Sequence, residues 1–466
     1  MRLLCRLKVQ RSRFMQFLKS NLSPFSKGVR IALSVSALIC FALFFLLGPY
    51  EMLSAREAAD AVFILVISLL IMLFCSLFFM LKFEVNSDLM FASFLVVAAA
   101  ALALRFYVFD AISTDYTNFL SRWLAQMRLL PGVEPITTPI GDYNMPYLYY
   151  LFFISRTNLY DLYMIKILSV VFDFVLALGA VKLIRLFTKN DMAALLAFFG
   201  ALFAPTLFLN SAYWAQCDGI YTALSVWALY FALSKRPKTS IVFFALAFSF
   251  KMQAIFILPA IIFLVLKHKI SLKHLIWFPV TFFATLIPSL LCGRSFYDTF
   301  SIYIDQTSNY PELTLNCPSF WALFSKYDFD IFGTAALFLA GAVCFIFIVF
   351  VLSYKDRLSD TLLFDAAFIL VLLMPFFLPR MHERYFYLAE ALSIIYVLIH
   401  KKRLFVSPAV LFTGYCVYSA FIFGKQIFSL EFLAVINAAI IIYVIKKFAD
   451  DLAITSAVSS EKKECC

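Results

Sequence analysis

Carboxylates and basic side chains occur in short clusters along an otherwise apolar chain. Asp115 opens a stretch that also contains Arg122 and ends at Trp123, and Asp142 opens the stretch Asp142-Tyr143-Asn144-Met145-Pro146. A carboxylate can take a proton from a hydroxyl group, and Arg, Lys and His can stabilise a phosphate. The other polar candidates for such chemistry are Gln216, Asp218, Lys251, Arg380, His382, Glu383 and Arg384.

Each of these residues also has a purely structural interpretation. Asp115 is equally consistent with a solvated loop acid or a helix cap, and Asp142 with the start of a turn. The ammonium group of Lys251 can reach lipid headgroups while its stem stays in the apolar layer. Arg380 and Arg384 can anchor a helix against lipid phosphate. A chemical role therefore depends on whether the fold brings these residues together.

The elements that must position them are membrane helices. The chain of 466 residues is 64% apolar and 14% charged, whereas soluble proteins carry about 25% charged residues. Its apolar runs are about 20 residues long, the length that crosses a bilayer. We expect an all-α, polytopic transmembrane bundle of about fourteen helices over 29–48, 61–81, 89–109, 162–182, 191–210, 218–234, 239–251, 252–267, 274–292, 331–352, 360–379, 384–400, 404–424 and 428–447.

Two parts of this pattern depart from simple membrane crossings. The runs 239–251 and 252–267 are too short to cross alone, which predicts a helical hairpin or broken pair with Lys251 and Gln253 at its turn. The stretch Pro146–Ile154 has too few apolar residues to span the bilayer. Its tyrosines favour an interfacial helix lying along the membrane surface.

The basic residues indicate which side of the membrane is cytoplasmic. Most of the 39 Lys and Arg residues fall in segments that an even helix count places on one side, together with both termini. This predicts a basic cytoplasmic segment over 1–28, a single transmembrane domain over 29–447 and a cytoplasmic tail over 448–466. The loops 110–161 and 293–330, and with them the polar candidates, are then extracytoplasmic. Because the net charge of +11 comes from these short loop clusters, we expect contact with anionic lipid and no nucleic-acid partner.

At four of the polar clusters the sequence resembles the GT-C superfamily of glycosyltransferases that use polyprenyl-phosphate sugars. Asp115-Tyr116 through Arg122-Trp123 is similar to the family stretch Asp-Tyr-Glu-Ala-Gln-Arg-His-Trp, and Asp142–Pro146 is similar to Asp-Tyr-Pro-Pro-Leu. Ser249–Gln253 resembles the family segment Phe-Lys-Gln-Met, and His382–Arg384 resembles His-Glu-Lys. The relatives it resembles most are the glucosyltransferases that extend lipid-linked oligosaccharides and bacterial proteins related to the GPI mannosyltransferases.

The resemblance implies a function and a site. It implies transfer of a hexose of mannose or glucose type, with inversion, from a polyprenyl-phosphate sugar to an extracytoplasmic glycan or lipid-linked acceptor in a bacterial plasma membrane. Asp115 would be the catalytic base. Because the sequence has Asn144-Met145 where the family has prolines, the role of Asp142 stays open. No cofactor or metal is expected, and donor or substrate contacts would come from Arg122, Asp142, Gln216, Asp218, Lys251, Arg380, His382, Glu383 and Arg384.

Two other functions compete with this one. Fourteen helices would suit a flippase for polysaccharides or lipid-linked sugars, although transporters place their polar sites near the midplane and commonly between repeats. A polysaccharide polymerase or ligase would also act outside the cell on lipid-linked sugars. We would expect its site to centre on one large outer loop, whereas the polar clusters here lie on loops between several helices.

Overall fold

The computed structural model describes residues 27–47, 58–83, 85–305, 312–325, 329–354 and 358–464. Within these ranges the chain is almost entirely helical, as the apolar runs predict, with one pair of two-residue strands. The predicted basic segment over 1–28 lies almost wholly outside the described residues. The chain divides into two compact units, and the polar candidates all belong to the second.

The first unit contains the first three helices and a short segment from further along the chain, Asn190–Leu195. Arg30 Nε lies 2.5 Å from Asp88 Oδ1, which ties the first helix to the third. The backbone N–H of Asn86 donates to Asp191 Oδ2 at 2.8 Å. The helices are α1 Lys27–Leu47, α2 Ala58–Leu81 and α3 Asp88–Tyr107.

The second unit comprises Val108–Lys189 and Leu196–Cys466. Its first helices are the π-helix Tyr116–Leu120, α4 Ser121–Leu129, α5 Glu134–Thr137, α6 Met145–Ser155, α7 Asp161–Ile184, α8 Asp191–Phe203 (whose first turn belongs to the first unit), α9 Pro205–Phe208 and the π-helix Leu209–Tyr213. They are followed by α10 Asp218–Leu233, α11 Pro237–Phe250, the 3₁₀-helix Met252–Ile257, α12 Leu258–Leu266, the 3₁₀-helix Leu272–Ile276, α13 Trp277–Leu291 and α14 Phe296–Asp305. The last helices are the 3₁₀-helix Phe320–Phe324, α15 Phe329–Leu352, α16 Asp360–Phe377, α17 Tyr387–Ile399, α18 Val406–Phe423 and α19 Leu430–Glu464.

Among the described residues, nine helices are long and apolar enough to cross a membrane, and a bent pair raises the number to ten. The shorter apolar helices include α10, α11 and α17, which coincide with predicted runs. The protein is therefore an all-α, multi-pass membrane protein, and the count of fourteen crossings stays a prediction. The helix predicted from the tyrosine-rich run is present as α6.

Proline and a single extended residue interrupt two of the predicted runs. The run 191–210 bends by 48° between α8 and the segment that starts at Pro205. Ala204 precedes that proline and is extended (ψ 126°), because the proline ring disfavours helical backbone in the residue before it. Lys251 is also extended and separates α11 from the following 3₁₀-helix, as the broken pair predicts. The break places the Lys251 side chain between two helix ends.

The strand pair joins two distant loops of the second unit. Strand β1 (Thr314–Leu315) runs parallel to strand β2 (Met381–His382), with Leu315 opposite His382. The residues next to these strands, Asn316 and Arg380, both have a left-handed backbone with φ of 61°. Such conformations are costly for residues with a side chain and tend to cluster at functional sites. The pairing thus fixes the polar segment Arg380–Arg384 against the loop that precedes α15.

One further feature differs from the sequence-based expectations, and a second is a buried acid inside a helix. Helix α19 continues from the predicted last span through Glu464, so most of the segment predicted as a tail over 448–466 is helical. Asp173, an acid in the middle of α7, is buried and accepts a hydrogen bond from Ser211 Oγ at 2.5 Å. This bond identifies the partner that a buried intramembrane acid requires.

Candidate functional site

A cavity of about 300 Å³ brings most of the polar candidates together. Its wall contains residues from loops and helix ends that are far apart in sequence. Eight of the predicted residues line it: Asp115, Asp142, Gln216, Lys251, Arg380, His382, Glu383 and Arg384. We call this space the charged cavity.

Asp115 is held at the cavity wall through one of its two carboxylate oxygens. Trp214 Nε1 donates to Asp115 Oδ2 at 3.1 Å, and Gln216 Nε2 donates to the same oxygen. The hydroxyl of Tyr143 donates to Gln216 Oε1 at 3.1 Å, which fixes the orientation of that amide. Among the described residues, no hydrogen bond is made to Oδ1 of Asp115. The carboxylate is thus oriented and keeps one oxygen for a further proton donor.

The segment that carries these two donors is itself strained and clamped. Ala215, between Trp214 and Gln216, has a left-handed backbone with φ of 65°. Ser113 Oγ donates to the Trp214 carbonyl at 2.6 Å, and Ser169 Oγ donates to the Gln216 carbonyl at 2.7 Å. A non-glycine residue persists in this conformation only when its surroundings hold it there. The hydrogen bonds of the two serines supply that constraint, and the backbone conformation that they hold directs both donors to Asp115.

Asp218 lies behind the cavity wall and organises its cations. Lys251 Nζ donates to Asp218 Oδ1 at 2.6 Å, and Asn210 Nδ2 donates to Oδ2 at 3.0 Å. Arg384 Nε lies 3.5 Å from Asp218 Oδ2, and Arg384 Nη1 donates to Glu383 Oε1 at 2.7 Å. Both acids are almost fully buried. Two cations and two acids therefore compensate one another in this network, as buried charges must.

Glu383 is kept ionised by its neighbours. Burial opposes ionisation of its carboxyl group, but the nearby imidazole of His382 and the charge of Arg384 outweigh that effect and lower its pKa. His382 Nδ1 lies 3.8 Å from Glu383 Oε2. The guanidinium of Arg384 also lies 5.4 Å from the ring centroid of Trp214, the residue that donates to Asp115. The base candidate and the cation cluster thus share Trp214 as a common neighbour.

Asp142 has a different environment from the other acids of the site. Asp142 is exposed at the cavity wall, yet desolvation of the carboxyl group raises its pKa, and the charge of Asp115 adds to this effect. Lys251 and Arg384 oppose the increase without cancelling it. The preceding Gly141 has φ of +75°, and a Cβ atom there would lie 2.9 Å from the Trp123 ring. Only glycine fits this approach, which sets the position of Asp142.

Arg380 and His382 reach the cavity from the strand pair. The left-handed backbone of Arg380 directs the chain into β2, and its N–H donates to the Leu313 carbonyl at 3.1 Å. The guanidinium carbon of Arg380 lies 3.9 Å from the ring centroid of Phe329. His382 stacks edge-on against Tyr385 with 5.2 Å between ring centroids. Aromatic rings therefore orient two of the basic groups.

Arg122 is the one predicted site residue that the fold places elsewhere. It is exposed and is not among the residues that line the charged cavity. With α-helical spacing, Arg122 would lie two turns after Asp115 on the same helical face. The intervening residues Tyr116–Leu120 form a π-helix, whose wider turn changes the face on which Arg122 lies.

Several residues of the site carried little or no sequence signal. Trp214 has a decisive contact with Asp115, yet as a single aromatic residue in an apolar chain it is not distinctive. Tyr143 and Asn144 lie inside the motif that begins at Asp142, and their places in the wall could have been inferred from that residue. The other wall residues are Phe119, Leu120, Trp123, Phe250, Gln253, Tyr385 and Phe421.

One group among the described residues has the composition of a metal site. Asp365, His400 and Asp451 each offer a ligand atom, and these atoms lie within 4.8 Å of one another. His400 Nε2 lies 2.9 Å from both oxygens of Asp365, and Arg403 Nη2 donates to Asp451 Oδ2 at 2.5 Å. The acids are thus already paired with basic side chains, and none of the three residues lines the charged cavity.

Comparison with known proteins assigns no family to this chain. No protein-family model matches the chain, and no curated protein matches it significantly. The fold and the site together define a class: a helical multi-pass membrane protein with a cavity in which acids and cations converge.

Proposed function

We propose that this protein is a membrane glycosyltransferase that moves a hexose from a polyprenyl-phosphate sugar to an acceptor hydroxyl, with inversion and with Asp115 as general base. The observation that carries the proposal is the Asp115 carboxylate, fixed through Oδ2 by Trp214 and Gln216 at the wall of the charged cavity. A sugar hydroxyl is a weak nucleophile at neutral pH. A carboxylate within hydrogen-bond reach can take its proton as the new glycosidic bond forms.

The donor phosphate would be stabilised by the basic groups of the same cavity. Arg380 and His382 line it beside Arg384, and charge-assisted hydrogen bonds to phosphate are among the strongest in proteins. Lys251 was also predicted to contact the phosphate. We assign it a positioning role instead, because its ammonium group is committed to Asp218. The predicted topology places this cavity outside the cytoplasm, where a lipid-linked donor would present its phosphate at headgroup depth.

Asp142 is the rival for the role of base. A general base works best when its pKa is close to the working pH, and desolvation moves the pKa of Asp142 upward, in that direction. Asp115 comes first because Trp214 and Gln216 fix its carboxylate through Oδ2, which leaves a defined oxygen available. The asparagine variants of the two residues separate these roles, since the base is the one whose loss abolishes turnover.

The experiment that tests the activity uses purified protein in nanodiscs with a panel of polyprenyl-phosphate sugars that includes mannose and glucose donors. Release of free polyprenyl phosphate is measured by mass spectrometry, with and without cell-envelope lipid extract as an acceptor source. We expect release from one donor and little from the others. If no donor is consumed under either condition, the proposed activity is contradicted.

A specific observation favours the flippase alternative and keeps it as a second candidate. Two further buried acids lie in helices, Asp173 in α7 and Glu390 in α17, and Thr206 Oγ1 donates to Glu390 Oε2 at 2.5 Å. Intramembrane acids of this kind occur in ion-coupled transporters. A flippase would move a fluorescent polyprenyl-linked sugar across proteoliposome membranes without breaking its phosphate–sugar bond, whereas the proposed transferase would break it.

A further inference from the structure

A second cavity lies next to the charged cavity in the same unit. Its volume is about 290 Å³, and it lies between the end of α18, the start of α19 and the loop that carries Asn316. Phe421 lines both cavities, so the two spaces are neighbours that share one aromatic ring. We call the second space the neutral cavity, because none of the described residues in its wall has a charged side chain.

The lining of the neutral cavity has the composition of a site for an uncharged polar molecule. The side-chain amides of Asn316 and Gln426 each offer both hydrogen-bond donors and an acceptor. Phe421 and Phe428 add aromatic surface, and Cys416 and Leu433 contribute to a buried apolar floor. Sites for small molecules commonly combine apolar walls with a few polar groups of this kind. Hydroxyl groups that both donate and accept, on a largely apolar ring, would complement this wall.

Two aromatic side chains, Phe421 and Trp214, link the wall of the neutral cavity to Asp115. The rings of Phe421 and Trp214 have centroids 4.8 Å apart, and Trp214 Nε1 donates to Asp115 Oδ2. Trp214 also belongs to the apolar cluster that contains Cys416, Val417 and Leu433. A group held in the neutral cavity would therefore lie against Phe421, which packs on the ring that orients the proposed base.

The backbone ties the two cavities together in a second way. Asn316 bridges to His382, which lines the charged cavity, and its left-handed backbone places it at the end of β1. Any shift of this strand pair would move the amide of Asn316 and the imidazole of His382 together. The same strand pair therefore contributes residues to the walls of both the neutral cavity and the charged cavity.

We infer that the neutral cavity is the acceptor subsite and that it holds an uncharged sugar residue of a glycan acceptor. This inference rests on the proposed glycosyltransferase function. The charged cavity, which contains Asp115, suits the anionic donor, whereas an uncharged acceptor glycan needs a neutral binding surface next to that cavity. In the step itself the acceptor oxygen bonds to the anomeric carbon, its proton passes to the Asp115 carboxylate, and the donor carbon–oxygen bond breaks to release polyprenyl phosphate.

The test measures binding and reaction separately on the full-length protein in nanodiscs. Saturation-transfer NMR follows binding of a neutral probe, methyl α-mannoside or maltose, with a glucuronic-acid-containing disaccharide as the charged comparison. We expect the neutral probes to bind and the charged one to bind less. Gln426→Ala and Asn316→Ala should each weaken neutral-probe binding about five- to tenfold, the effect of one lost hydrogen bond. Gln126→Ala is the matched control, because Gln126 is an exposed amide that lines neither cavity.

The reaction arm measures release of polyprenyl phosphate against acceptor and donor concentrations. Gln426→Ala should raise the half-saturating concentration of a neutral acceptor and leave that of the donor unchanged. Equal binding of the probes by wild type, Gln426→Ala and Asn316→Ala would overturn the inference, as would a change in donor saturation alone. If the variants lose probe binding while the wild type consumes no donor, the neutral sugar subsite stands and the proposed transfer reaction fails.

Discussion

Lys251 and Asp218 form a buried ion pair that joins the end of α11 to the start of α10, with 2.6 Å between Nζ and Oδ1. Asp218→Asn would leave the ammonium group without this counter-charge, which costs about 3–5 kcal/mol for a buried pair. We expect a large decrease in the thermal unfolding temperature in nanodiscs. Adding Lys251→Met should restore much of the lost stability, because the double variant no longer buries an uncompensated cation. A double variant as unstable as Asp218→Asn would contradict this account of the pair.

A pH dependence follows from the environment of Asp142. Desolvation raises the pKa of this carboxyl group in the folded protein above its value of about 3.9 in an unfolded chain. The contribution of this carboxyl group to the free energy of unfolding is therefore fully present below the pKa of the unfolded chain. It is lost as the pH rises through the pKa of the folded protein. Asp142→Asn should raise the unfolding temperature at pH 7, and the gain should disappear near pH 4. Thermal unfolding of wild type and Asp142→Asn across this pH range tests the prediction. A gain in stability that appears only at low pH would contradict it.

Gly414 in α18 makes room for the buried carboxyl group of Glu390. A Cβ atom at this position would lie 1.9 Å from Glu390 Oε1, so Gly414→Ala forces a rearrangement that costs about 1–3 kcal/mol. Gly341→Ala is the matched control, because no atom of the described residues lies within 4 Å of the place that its methyl group would take, and alanine favours a helix. Unfolding temperatures should fall for Gly414→Ala and stay level or rise for Gly341→Ala. Similar effects of the two substitutions would rule out the steric explanation.

Gly141 sets the position of Asp142 through its backbone and through the Trp123 ring. Gly141→Ala combines a left-handed alanine, which costs about 1–2 kcal/mol, with a contact of 2.9 Å to that ring. Gly132→Ala has the backbone cost alone, because its φ is +50° and no part of the described chain lies within 4 Å of the added Cβ atom. We expect Gly141→Ala to reduce both stability and polyprenyl-phosphate release, and Gly132→Ala to reduce only stability. If the two variants release polyprenyl phosphate equally, the contact with Trp123 does not position the site.

Helix boundaries follow closely from the sequence, because burial in a bilayer imposes long apolar runs. The run 162–182 corresponds to α7 at Asp161–Ile184, and 331–352 corresponds to α15 at Phe329–Leu352. The bend near Pro205 and the continuation of α19 to Glu464 were not predicted. Hydropathy reports whether a segment is apolar, and it carries little information on how a proline bends the chain or where a helix continues into polar sequence.

The polar wall of the site could be predicted because charged residues are rare in this chain. Asp115, Lys251 and Arg384 attract attention for that reason, and the fold brings them to one cavity. Their pairing could not be predicted, since the contact between Lys251 and Asp218 depends on how two helix ends meet. The strand pair also escaped prediction, because its two-residue strands are held by tertiary contacts and have no periodicity of their own.

Asp115→Asn tests the central claim most directly. The substitution keeps the size of the side chain and its contacts with Trp214 as far as an amide allows, and it removes the basicity. Asp298→Asn is the matched control, because Asp298 is an acid that does not line the charged cavity. The measurement is single-turnover release of polyprenyl phosphate at saturating donor, using the donor that the wild type consumes. We predict a decrease of roughly 10²–10⁴-fold for Asp115→Asn with unchanged donor binding, and near-normal release for Asp298→Asn. Near-normal release by Asp115→Asn would contradict the account and would move the role of base to Asp142.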